Sequence, residues 1–199
     1  LLALLVTLAA CTSVPDSSDG TGPRAAGAYR TALDRVAAAS ALMRTEYAIA
    51  LEHLDFALRR TGDLEWLKRH TRHARHALDV ASEPEGPGLG YGVAQGLGEL
   101  SRLLSPLSVR DPARAREIAT LVDNQRSWLN DALILSDNAL AEAKDTNKIV
   151  GWLRTVRVTV TRAARGHDAN GDGEIGIVPR EGGHPQADAL IQRLKARGP

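Results

Sequence analysis

Between Ala25 and Arg60 the chain carries no proline, and Gly27 is its only glycine. Along it Tyr29, Leu33, Val36, Ser40, Met43, Tyr47, Ala50, Leu54 and Ala57 recur at alternating spacings of four and three. That is the stripe one face of an α-helix presents. A helix this long reaches about 50 Å at 1.5 Å per residue, far beyond what a lone helix stabilises in water. Its stripe must be covered by other elements of the fold, and the helical composition and patterning of the rest of the chain make those elements helices, an all-α fold.

The rest of the chain supplies the partners. Thr61-Gly62 breaks the pattern and Asp63 is a capping residue for a second helix over 64–82, with Leu67, Thr71, Ala74, Leu78 and Ala81 as its seam. So short a turn makes the two an antiparallel hairpin. Residues 83–98 are rich in Gly and Pro and read as a loop merging into a weak helix over 93–105, ended or kinked by Pro106. Asp111-Pro112 starts a helix over 112–144 with its seam along Ala115, Ile118, Leu121 or Val122, Gln125, Leu129, Ala132, Leu135 or Ser136, and Ala139. A turn at 145–147 precedes a helix over 148–165. There Val156, Val158 and Val160 alternate as in a strand, but a single strand has no partner. A short helix over 185–196 closes the chain. The expected architecture is an antiparallel bundle of four to five helices over 25–166, followed by a C-terminal segment, 167–199, made of a loop and a final helix. Aromatic residues at 4 % and sparse Val and Ile agree with helix. A net charge of +1 leaves no basic surplus to neutralise phosphates, which argues against a nucleic-acid partner.

The first ten residues form a small and aliphatic run, too short to span a bilayer, ending Leu8-Ala9-Ala10-Cys11. The run has the character of a signal h-region whose start, lacking Met and a basic segment, is truncated. Cys11 is the only cysteine, so no intramolecular disulfide exists. Leu-Ala-Ala-Cys resembles the lipobox of bacterial lipoproteins. That resemblance implies a diacylated Cys11, a flexible tether over 11–24, and a protein anchored through lipid in the cell envelope. Thr12 further resembles outer-membrane sorting, with the domain facing the periplasm.

Near the other end stands Asp168-Ala169-Asn170-Gly171-Asp172-Gly173-Glu174-Ile175. Oxygen-bearing side chains alternate, then a glycine permits a sharp turn, as a hard cation needing about 6–8 oxygens requires. The run resembles EF-hand and dockerin-type calcium loops. Carried over by position, Asp168, Asn170 and Asp172 are side-chain ligands and Glu174 a backbone ligand, while Gly176 acts only through water. Pro179 stands where an EF-hand places its bidentate Glu, and Glu181, two residues on, is the candidate to replace it. The expected Ca²⁺ site is weak, with Kd about 10⁻⁴–10⁻³ M, and the ion is mainly structural.

A second constellation lies on the first hairpin. Of six histidines, His53, His70, His73 and His76 fall on its two helices. A turn at Thr61-Gly62 places positions 53 and 70 at equal distance from it, hence side by side on adjacent helices. With Glu46 or Glu52 nearby, these imidazoles form a candidate site for Zn²⁺, Cu²⁺ or Ni²⁺. The stretch from Glu52-His53-Leu54 to His73-Ala74 and His76-Ala77 is similar to the His-rich helical hairpins of small metal-binding proteins, which implies metal binding or buffering. On the helical wheel His70 lies at the seam edge and His76 near solvent. Arg69, Arg72 and Arg75 interleave, and their charge opposes a cation.

Trp66, Trp128 and Trp152 sit among apolar helical positions and are expected in the core or a groove. Gly88-Leu89-Gly90-Tyr91-Gly92 leads into a helix as an anion cradle does, but it lacks the Lys-Ser/Thr of a P-loop and no strand precedes it, so a flexible loop is the better reading. No nucleophile motif or paired catalytic carboxylates occur at diagnostic spacing, so the expectation is a non-enzymatic protein whose partners are metal ion, membrane and an unidentified protein surface.

Overall fold

The computed structural model describes residues 23–198. Cys11, the apolar run before it and most of the expected tether lie outside the described residues. The described chain is all helical: α1 (Pro23–Arg59), α2 (Leu64–Leu78), α3 (Val93–Arg110), α4 (Pro112–Ala141), α5 (Thr146–Arg165) and α6 (His184–Ala196).

All nine stripe residues of α1 are buried, from Tyr29 through Ala57. So long a stripe needs several neighbours, and α1 packs against α2, α3, α5 and α6 while α4 lies against α3 and α5. The helix starts follow the predicted capping chemistry. Asp63 accepts from the Trp66 amide at 3.0 Å and Asp111 from Arg114 at 3.1 Å; Asp145, read from the sequence as a turn residue, caps α5 in the same way, accepting from Lys148 at 3.1 Å.

Three helix ends differ from expectation. α2 ends at Leu78, four residues early, because Asp79 turns extended and leaves Ala81 exposed. α3 runs past Pro106 to Arg110, since Leu103 and Leu107 on either side are fully buried and hold the helix across the proline. α4 stops at Ala141, where the Glu142 carboxylate accepts from the amides of Ala143, Lys144 and Asp145 and bends the chain. α5 absorbs the valine alternation: Val156 and Val160 are buried and Val158 faces solvent, as a period of 3.6 allows.

The final segment joins the same core through Ala187, Leu190, Ile191 and Leu194 of α6. Asn124 of α4 pins the preceding loop, donating to the carbonyls of Val178 and Gly182 and accepting from the Arg180 amide. At Gly183 the chain passes so close to the end of α5 that a Cβ would meet Gly166 N at 2.5 Å, Ala163 O at 2.7 Å and Arg162 O at 2.8 Å. Only glycine fits there. None of the described helices is long and apolar enough to cross a membrane.

Candidate metal centre

The α1–α2 hairpin brings three of its four histidines together. His53 Nδ1 and His70 Nδ1 lie 2.9 Å apart. One ring nitrogen each from His53, His70 and His73 falls within a 4.8 Å set, and among the described residues no other trio of His, Cys, Asp or Glu gathers so closely. The register is set by the turn: Asp63 caps α2 immediately after the break, so equal chain distances from Thr61-Gly62 become equal heights on paired helices. Aromatic side chains hold the rings. The His53 and Phe56 ring centroids are 5.6 Å apart, Phe56 and His70 5.4 Å, and Trp66 and His70 4.3 Å. Trp66 is itself fastened by its indole N–H to the Phe56 carbonyl at 2.7 Å.

His53 is 9 % and His70 8 % exposed, so the pair has little water to share. Burial lowers the pKa of His53 and His73 and takes His70 down to about 4, with neighbouring imidazoles and Arg69 adding repulsion. The rings are therefore neutral at physiological pH, the form that ligates metal. With both neutral, one Nδ1 donates a proton to the other. His73 Nδ1 is buried with no hydrogen-bond partner. A tetrahedral Zn²⁺ with Zn–N near 2.1 Å places its nitrogens about 3.4 Å apart, so the His53–His70 pair has to open by about 0.5 Å to admit one. Three imidazoles and no carboxylate leave the fourth coordination position to water or another exogenous group.

His76 does not join them. Expected near solvent, it is 4 % exposed and its Nδ1 pairs with the Glu83 carbonyl at 2.8 Å, because the early end of α2 folds residues 83–92 back over it. Glu46 is also elsewhere. Its Oε1 accepts from the amides of Leu89, Tyr91 and Gly92 at 3.1, 3.0 and 3.2 Å. The glycine run, read from the sequence as a flexible loop, is fastened instead by this one side-chain oxygen, while Glu46 Oε2 is buried without a partner. Sequence reasoning treated the two halves separately. The available signal was Glu46 itself, a carboxylate at helical spacing between Met43 and Ala50 on an apolar stripe, where it requires partners. Of the three interleaved arginines, Arg75 turns inward, 8 % exposed, and pairs with Asp137. Among the tryptophans Trp128 is buried in the core, while Trp66 and Trp152 are half-buried.

The acidic loop follows the C-terminal end of α5. Asp168 accepts from the amides of Gly171 at 2.7 Å and Gly173 at 2.9 Å, which holds its carboxyl below the usual pKa. Asn170 accepts from Asp172, and Asp172 from Glu174. Gly171 and Gly173 take φ of 79° and 87°. Pro179 is exposed, and Glu181 turns back, buried, to accept from the Gly176 amide at 3.1 Å. Glu181 thus meets the ninth loop position, but its carboxylate is not gathered with those of Asp168 and Asp172 within 4.8 Å. Ile175 lies against Gly166, where it covers the end of α5.

Sequence reasoning also missed His184, at the first turn of α6. It is 4 % exposed, neither ring nitrogen has a partner, and burial takes its pKa to about 4. No pattern around it signals this; its surroundings come from α1 and α5.

Compared with known protein families, curated protein sequences and solved structures, the chain matches none. Any functional reading therefore rests on the geometry above.

Proposed function

We propose that this protein is a non-enzymatic metal-binding helical bundle that takes a divalent transition metal, Zn²⁺, Cu²⁺ or Ni²⁺, through His53, His70 and His73. One observation carries the reading: three imidazoles, kept neutral by burial, present ring nitrogens within 4.8 Å of one another on two helices. Imidazole is the ligand type these ions share, and metal binding relieves the buried, unpaired nitrogen of His73. His76 is left out of the ligand set. The test is calorimetric titration of the full chain with Zn²⁺ and Cu²⁺, beside His70→Ala and His76→Ala. Saturable binding lost in His70→Ala and kept in His76→Ala is expected. Binding unaffected by His70→Ala defeats the proposal.

A second reading favours Ca²⁺ in the Asp168–Glu181 loop, as a clamp between α5 and α6. Its support is Glu181, which folds back onto the loop at Gly176. In this reading Asp168, Asn170 and Asp172 give side-chain oxygens, Glu174 a carbonyl, and Glu181 the remaining carboxylate after a local shift. Both readings suit a domain held outside the cytoplasm through a lipidated Cys11, where calcium is plentiful and a weak site is filled.

A further inference from the structure

A cleft of about 420 Å³ opens between α1, α5 and the start of α6. It lies within the range of about 300–1,000 Å³ typical of small-molecule sites. Leu51, Phe56 and Ala164 supply apolar wall, and three arginines and two carboxylates surround it. The charges sort themselves. Arg44 is held by Asp188 at 2.6 Å, and Asp55 by Arg157 at 2.5 Å. Arg59 and Arg165 have no ion-pair partner among the described residues, and against them stands only Glu52. Two free guanidinium groups and one free carboxylate leave a surplus of one positive charge at an apolar cleft. Arg59 already lies over the Phe56 ring, 4.9 Å from its centroid, so its fork is fixed at the rim. At the inner wall His184 is buried with both ring nitrogens unpaired, a state native structures rarely leave unexplained.

We propose that this cleft binds a small amphipathic monocarboxylate, its carboxylate held by Arg59 and Arg165 and its apolar body laid against Leu51, Phe56 and Ala164. A guanidinium fork matches a carboxylate, and one ligand charge balances the surplus. His184 lines the cleft and His53, His70 and His73 do not, so the site is distinct from the histidine trio, with Phe56 bordering both.

The probe is 1-naphthoate, titrated calorimetrically into the full chain with EDTA present, so that no metal at the trio offers the carboxylate a ligand position. Saturable one-to-one binding is expected. Arg59→Ala and Arg165→Ala, both at exposed positions and therefore harmless to folding, should each weaken it about tenfold. Leu51→Trp, which fills the cleft, should abolish it. The neutral 1-naphthamide should bind at least about tenfold more weakly, and inorganic phosphate, which has no apolar body, should not bind measurably. Absence of saturable naphthoate binding overturns the proposal. So does binding that survives both arginine variants, binding that appears only when Zn²⁺ is added, or phosphate binding as tight as naphthoate.

Discussion

Acid should unfold this protein by a route that His184 measures. In the unfolded chain an imidazole titrates near 6.5, whereas burial takes folded His184 to about 4. As pH falls through this window the unfolded state takes up the proton first, so stability rises with pH and is complete only above about 6.5. At about pH 5 the unfolded imidazole is some thirtyfold protonated over neutral and the folded one is still neutral, a loss of about 2 kcal/mol relative to about pH 7.5. At about pH 4 the loss reaches about 3 kcal/mol. At 4 % exposure little solvent screening reduces these figures. His184→Phe removes the titration. Any packing change it brings is constant with pH and cancels when slopes are compared. The assay is urea unfolding by circular dichroism at several pH values from about 7.5 to 5, above the range where carboxylates titrate. The wild-type protein should lose about 2 kcal/mol more than the variant over that interval. Both retain the further loss from His70, also taken to about 4, and from its lowered neighbours His53 and His73. Equal losses in the two proteins would refute a depressed His184.

Three other outcomes follow from particular contacts. Glu46→Ala strips the acceptor from three loop amides and should cost about 3 kcal/mol, with residues 83–92 becoming the first site of limited proteolysis. Gly183→Ala drives a methyl group into backbone atoms that cannot move aside, so a loss of about 1–3 kcal/mol is expected, with faster amide exchange in α6 than in α4. If the acidic loop binds calcium, millimolar Ca²⁺ should raise the melting temperature of the wild-type chain and leave Asp168→Ala combined with Asp172→Ala unmoved. No shift in the wild-type chain removes that reading.

The helices and their buried faces were legible in the sequence because helical periodicity is local. Every seam residue named on α1 is buried, and the hairpin register that pairs His53 with His70 follows from a turn and two helices adjacent in the chain. Tertiary structure decided what those faces meet. His76 became a buried loop anchor because residues 83–92 fold back over it, and a wheel drawn from α2 alone contains no loop. Glu46 found its partners more than forty residues away, in the glycine run that the sequence marked only as a flexible loop. Glu181 turned toward Gly176 because Asn124, from a different helix, fixes the backbone on both sides of it. The positive cleft beside His184 is assembled from α1 near one end of the chain and α5 and α6 near the other. Periodicity records which side of a helix is apolar; it carries no information about which distant backbone or charge will lie against that side, and the candidate sites of this protein are made of such encounters.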